Sequence, residues 1–364
     1  MKPRERIEAV LHHLVPDRVP FVPYIELVPM GEFERALRAR GMGLWTFNTS
    51  AHWCERPHVC VETRVQGDVT TTVYHTPVGN VSTRIRTHLS RSTTPGRQVE
   101  LEGLIKTAQD YEPVIFMIDD GIFHADPGVY EWAVRDLGDD GYVRIMGFDD
   151  PFSRAYSYFG WGTSDGLPNF VYHQRDYPAH FRRLVEALER ENERMAPHVL
   201  DCSAEVACMG SVDGVYGPRE YEQYVLPFYQ KWVPMFHSRG KLIYPHAHSS
   251  RLKQFAPRMA QAGLDMVDAF TPPPIGNLSL AEARACWGNE MIIAVNFPET
   301  IFWQGPAATK QYALDLLRSC SGKNLIITMT EAALSVVADD PTARAFQDGM
   351  WAILDAIDEF AGVA

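Results

Sequence analysis

His246 and His248 are separated by one residue and follow the apolar run Leu242–Tyr244. In extended backbone, residues two apart point the same way, so both imidazoles can address one point. Neutral imidazole nitrogen is a good zinc ligand. Glu331, just past the run Leu325–Thr328, could bring a third ligand from another strand end. Three protein ligands leave a fourth position open, as a catalytic zinc requires. The plain alternative is two polar histidines at the start of a loop, in a chain that has 13 of them.

Weaker candidates stand past other apolar runs. Gly210-Ser211-Val212-Asp213-Gly214 follows Ala204–Met209 and offers Asp213 as an acid. Asn296 follows Met291–Val295, and Asp265 and Asp268 sit at Leu264–Val267. Asp119-Asp120-Gly121 follows Val114–Ile118. Read as a strand end, that run would make Asp119 a second candidate acid; the alternative is a solvated turn. Cys208 could add a thiolate to the metal site, or be an inert buried cysteine. The stretch Tyr156–Trp161 could line an aromatic pocket or fill a core. H-x-H also opens amidohydrolase barrels, but there it lies on the first strand with a histidine or lysine downstream. Here it comes late, with no matching cluster after it.

These residues need elements to hold them. Ile7, Val10, Leu11 and Leu14 give a helical stripe from Pro3 to about Leu14, stopped by Pro16-Asp17-Arg18. Val19-Pro20-Phe21-Val22 reads as a short strand. Residues 60–100 alternate apolar, threonine and charge around Pro77-Val78-Gly79-Asn80, which predicts a β-hairpin or small sheet excursion. A long helix is predicted from about Ala179 to Met195. Beyond it, the five apolar runs from Ala204 to Thr328 alternate with helices starting near Pro218, Ser250, Leu278, Pro306 and Pro341. Strands separated by single helices mean βα units and a parallel sheet. The expected fold is α/β, a (β/α)8 barrel forming one domain over residues 1–364. No G-x-G-x-x-G follows the first strand to support a dinucleotide fold. In a barrel, function gathers at the C-terminal strand ends, where the candidates above fall.

Composition narrows the function classes. The chain has 364 residues, and 34 Lys and Arg against 46 Asp and Glu give a net charge of −12. That argues against nucleic acid, which demands a basic surface, and against an anionic membrane. Six cysteines without a C-x-x-C pair do not make a disulfide scaffold, and a reducing cytoplasm is expected. No apolar run reaches the roughly 18–20 residues of a membrane span. The N-terminus leads into a helix with no h-region, so no secretory signal is expected.

The sequence also resembles the uroporphyrinogen decarboxylase superfamily over nearly its whole length. The resemblance is carried by Arg4-Glu5-Arg6-Ile7-Glu8-Ala9-Val10 through Pro16-Asp17-Arg18-Val19-Pro20. It continues in Gly217-Pro218-Arg219-Glu220-Tyr221 through Leu226-Pro227-Phe228, then Arg239-Gly240-Lys241 and His246. Ala262-Gly263-Leu264-Asp265 and Gly322-Lys323-Asn324-Leu325-Ile326 complete it. The family fold is a (β/α)8 barrel.

True decarboxylases of that family carry an arginine-rich R-Q-A-G-R-Y segment and a catalytic Asp soon after. Here the stretch reads Tyr24-Ile25-Glu26-Leu27-Val28-Pro29-Met30, with no Arg until Arg35 and no Asp between 44 and 67. A metal-free decarboxylase or lyase using an acid such as Asp119 or Asp213 is therefore the rival, together with a non-enzymatic binding protein of the same fold. The other branch is the corrinoid-linked methyltransferases, where the metal strand often reads H-x-C and a later Cys follows. His246 matches the family His. His248 stands at the Cys position, and Glu331 falls where the later ligand lies. Two imidazoles and a carboxylate leave zinc more Lewis-acidic than thiolates do, and suited to an oxygen donor.

The resemblance implies a zinc-dependent methyltransferase that moves a methyl group from an oxygen donor, a methyl ether or methoxylated aromatic, to a corrinoid. No D-x-H-x-x-G motif is present, so the corrinoid (cobalamin) would ride on a partner protein. Tyr24, Tyr216 and Asn296 are assigned to substrate binding, and Asp213 and Asp119 to catalysis. A homodimer is the remaining association considered.

Overall fold

Five of the apolar runs form parallel strands of one sheet in a computed structural model of the chain, which describes residues 1–28, 30–87, 98–212, 215–247, 251–330 and 341–362. Asp213, His248 and Glu331 lie outside the described residues. Contacts divide the chain into two compact units: Met1–Ser50 with Pro127–Gly147 and Ser203–Ala364, and Ala51–Asp126 with Phe148–Cys202.

The first unit holds the six-stranded parallel sheet. Its order is Leu325–Thr328, Ile292–Asn296, Met266–Phe270, Leu242–His246, Val206–Ser211 and Ile145–Met146. Every residue of Met266–Phe270, Ile292–Asn296 and Leu325–Thr328 is buried. Strands covered on both faces are apolar along most of their length, which makes them legible in the sequence. Leu44–Trp45 pairs in parallel with Gly141–Tyr142. Single parallel bridges join Phe21 to Ile327, Tyr24 to Trp45 and Ser50 to Met146. Helices follow the strands at Leu226–His237, Ala256–Met259, Leu280–Trp287, Pro306–Ser319 and Pro341–Phe360. Val19–Val22, expected as a strand, makes only the bridge at Phe21.

Inward positions two apart change character along the strands. Val206, Cys208, Tyr244, Met266, Ile292, Ala294 and Ile326 join one apolar cluster with Ile7, Val10 and Leu11 of the first helix. Continuing by twos toward the strand C-termini gives His246, Asp268, Asn296 and Thr328. Burying each large aliphatic side chain contributes about 1.5–3 kcal/mol, so the lower layers hold the frame on which the polar layer sits.

The first helix ends at Leu11, earlier than its stripe predicts. His13 turns left-handed (φ 58°) and the Leu14 N–H donates to the Ala9 carbonyl at 2.7 Å, closing the helix and leaving Leu14 exposed. Two strands break regular pairing near their ends. Gly210, at φ +75°, accompanies the register shift between Cys208 and Ser211. Ala269, at φ 56°, directly follows Asp268 and lies in the shift between Val267 and Phe270.

The second unit contains the expected excursion. Cys60–Gln66, Val69–Thr76, Gly79–Arg86 and Val99–Glu102 form a four-stranded antiparallel sheet in that order. Thr76 pairs with Gly79, so Pro77 and Val78 make the turn. His52–Glu55 pairs antiparallel with Ile122–Ala125. The predicted long helix runs from Pro178 to Asp201. Tyr156 is buried against Phe170, which favours core packing, while Trp161 beside it is half exposed.

One element expectation is overturned. Val114–Ile118 belongs to the helix Tyr111–Asp119 and is not a strand. A short apolar run carries no period of its own. Pro113 suits a first turn, where its missing N–H costs nothing. Asp119 is thus the last residue of a helix in the second unit, and its partly exposed carboxylate pairs with Arg190 at 2.7 Å. It does not stand at a strand end.

Candidate functional site

Two charges of opposite sign stand inside apolar runs of the first unit. Arg144 interrupts Tyr142-Val143 and Ile145-Met146, and Asp268 interrupts Met266-Val267 and Ala269-Phe270. Both are fully buried, and a lone buried charge is prohibitively costly. They meet: Arg144 Nη1 donates to Asp268 Oδ2 at 2.9 Å. Arg144 Nε also donates to the Thr46 carbonyl at 3.0 Å, and the Thr46 hydroxyl bonds back to the Arg144 backbone. The guanidinium lies 3.7 Å from the Trp45 ring centroid, 4.7 Å from that of Tyr244 and 5.2 Å from that of Tyr24. Aromatic faces replace part of the hydration that Arg144 gives up.

His246 closes the strand Leu242–His246 and pairs in register with Asp268 on the neighbouring strand. Its side chain is 16% exposed, whereas Asp268 has no exposure. The Tyr24 hydroxyl sits between them, donating to Asp268 Oδ2 at 2.5 Å and lying 3.1 Å from His246 Nδ1. Nδ1 is also 3.7 Å from the same carboxylate oxygen. Phe47 stacks on Tyr24 with centroids 5.2 Å apart and 6° between planes, and touches the His246 ring at 4.9 Å.

Burial pushes the Asp268 carboxyl upward, but the Arg144 charge, His246 and Tyr24 override it and leave the pKa at about 2. Asp268 is therefore a carboxylate at neutral pH. Burial, then the Asp268 charge, raises the Tyr24 phenol well above its ordinary range, so Tyr24 keeps its proton. Burial also raises the Tyr244 phenol, with Arg144 opposing and Cys208 adding to the rise. Asp268 Oδ1, Arg144 Nη2 and Trp45 Nε1 are buried without hydrogen-bond partners among the described residues.

The remaining sequence candidates distribute as follows. Tyr24, expected against substrate, is buried with its hydroxyl committed to Asp268 and His246. Asn296 ends its strand, donating to Thr271 Oγ1 at 3.1 Å and accepting from the Thr330 N–H at 3.0 Å. Tyr216 is buried against Tyr221 and Phe255, and its hydroxyl donates to the Ser211 carbonyl at 2.9 Å. Cys208 is buried opposite Tyr244 in register, one pair nearer the strand start than Ser211 and His246. Among the described residues no group of three His, Cys, Asp or Glu side chains could hold a metal ion. His246 is the described member of the metal set.

Sequence reasoning missed the Arg144–Asp268 pair. The available signal was one isolated charge in each of two otherwise apolar runs, which demands a partner of opposite sign. A cavity of about 200 Å³ lies elsewhere, lined by Arg4, Glu8, Tyr142 and Glu205 among others. Gly141 and Glu205 place it toward the strand starts, away from the polar layer at the strand ends.

No protein-family profile matches the chain, and no curated protein matches it. Solved structures do. A B12-independent methionine synthase from Shewanella sp. W3-18-1 aligns over 94% of this chain and 97% of its own, at 8% identity and a TM-score of 0.38. A methyltransferase from Methanosarcina mazei aligns over 99% of both chains, at 13% identity and a TM-score of 0.54. At that identity the likeness, which covers 99% of both chains, is one of fold; in this chain that fold is a mixed α/β architecture with a parallel sheet.

Proposed function

We propose that the chain is a methyltransferase of the uroporphyrinogen decarboxylase-like fold, taking a methyl group from an oxygen donor to a corrinoid carried by a partner protein. In this reading the first unit closes as a (β/α)8 barrel. The parallel bridges at Phe21–Ile327, Tyr24–Trp45 and Ser50–Met146 support that closure. The observation that carries the functional reading is His246 at a strand C-terminus with the Asp268 carboxylate behind its Nδ1.

Metal-ligating histidines regularly turn their second ring nitrogen to a carboxylate or another acceptor, and His246 fits that pattern. His246 would hold zinc, with His248 and Glu331 completing the set. Zinc bound there supplies Lewis acidity toward the donor oxygen. The chain's own part is to fix the ligand. Asp268 and Tyr24 hold the His246 ring, and Arg144 neutralises the carboxylate so that it stays ionised in a buried place. The apolar cluster that holds Tyr24, Cys208, Tyr244 and Met266 precedes this polar layer along the strands. A methyl ether is neutral, so it meets no penalty from a chain of net charge −12.

Metal analysis of the purified full chain tests this. Stoichiometric zinc in the wild type and its loss in His246→Ala are expected, with Co(I) corrinoid demethylating a methyl ether only in the presence of the wild type. A wild type that binds no zinc, or a His246→Ala variant that keeps it, overturns the proposal.

A further inference from the structure

The antiparallel sheet of the second unit carries its apolar face out to an edge. Val61 pairs opposite Tyr74, and Tyr74 opposite Val81, so the three share one face. Val81 is 3% exposed, and a Cβ added at Gly79 on the same face would come within 2.9 Å of Pro113. The helix Tyr111–Asp119 thus covers that face at the strand Gly79–Arg86. At the strand Cys60–Gln66 the cover has ended, and Val61 is 55% exposed and Val65 71%. Among the described residues this outer strand pairs with Val69–Thr76 alone. Its other face carries Glu62 and Arg64, an exposed ion pair at 2.7 Å, with His75 Nε2 lying 3.4 Å from Glu62.

The order Val61-Glu62-Thr63-Arg64-Val65 is chemically complementary to its own reverse. A second copy laid antiparallel and centred on Thr63 sets Glu62 against Arg64 of that copy, and Val61 against its Val65. The two-fold axis repeats each of these pairs. Opposite charges and β-branched side chains directly across a ladder stabilise it, whereas like charges destabilise it. Charge also selects the register. Centring the pairing on Glu62 or on Arg64 instead opposes two like charges, and a one-residue slip mixes the two faces. Charges on an edge strand ordinarily keep other strands away. Here opposite signs, two residues apart on one face, admit a copy of the same strand. We propose that Cys60–Gln66 is a self-pairing edge, through which two copies of this chain join their antiparallel sheets across a two-fold axis. Seven residues a side make a small contact, so the pairing is reversible and falls in the micromolar range. It does not rest on the methyl-transfer reading.

Sedimentation equilibrium of the full chain, with reductant present, tests the pairing. The wild type should form a concentration-dependent dimer. Glu62→Arg and Arg64→Glu, each alone, should weaken it about 10-fold or more, because each variant opposes like charges twice. An equimolar mixture of the two variants should regain association, since every charge then meets its opposite. That recovery also shows both variants to be folded. A wild type that stays monomeric overturns the proposal, as does a dimer that both single variants keep. Variants that remain apart when mixed overturn it too, because the charges then do not face each other across this ladder.

Discussion

Arg144 and Asp268 carry opposite risks for the protein. Paired, they satisfy each other in a dry interior; separated, either is a buried unpaired charge. Arg144→Met should cost about 3–5 kcal/mol in a urea titration, because Asp268 stays behind without its cation. Replacing both together, as Arg144→Met with Asp268→Leu, should cost clearly less. Equal losses in the single and double variants would mean that Arg144 matters through its aromatic packing instead. At this scale the sequence was legible in part. The H-x-H spacing marks His246 in the sequence, whereas nothing local marks Arg144 and Asp268 as partners, because the two lie 124 residues apart. No local spacing encodes such a pairing. Asp119 misled because a five-residue apolar run fits a strand and a buried helix face equally.

Elements were the most legible layer. Buried parallel strands have continuous apolar runs, and first-turn prolines at Pro306 and Pro341 mark the helices Pro306–Ser319 and Pro341–Phe360. The helix Leu280–Trp287 starts on a capping box: Ser279 Oγ accepts from the Glu282 N–H, and Glu282 accepts from the Ser279 N–H at 2.9 Å. Ser279→Ala should cost about 1 kcal/mol by thermal or denaturant unfolding. Lys253, and then the Ser279 N–H and hydroxyl, hold the Glu282 pKa down at about 2, below its ordinary 4.5. A depressed carboxylate stabilises the fold above the unfolded pKa and loses that contribution as pH falls toward the folded one. The wild type should therefore lose cap stability between about pH 4.5 and 2. Glu282→Gln should flatten that part of the acid profile, and an unchanged profile would refute the assignment. The strand ends were less legible, since the left-handed turn at Ala269 gives no sequence signal of the kind that glycine gives at Gly210.

At the scale of the whole molecule, barrel closure makes a prediction of its own. Val22 N–H donates to the Ile327 carbonyl at 2.7 Å, and Ile327 N–H to the Pro20 carbonyl at 3.0 Å. If the first unit is a closed ring, these amides should be as protected from hydrogen exchange as that of Ile293 between its two sheet neighbours. Exchange at the rate of an open edge would make the sheet an unclosed one. The parallel α/β character was legible from the alternation after residue 204. The division into two units was not, because residues 51–126 and 148–202 are separated in sequence and gather only in space. The antiparallel sheet of that second unit has a bearing on practice. Among the described residues its outer strand Cys60–Gln66 pairs with Val69–Thr76 alone, and it exposes Cys60, Val61 and Val65. An exposed free thiol on such an outer strand can be oxidised to a disulfide between two chains. Sizing experiments run without reductant would count such covalent pairs as native dimers, so the association state is best measured beside a Cys60→Ser control.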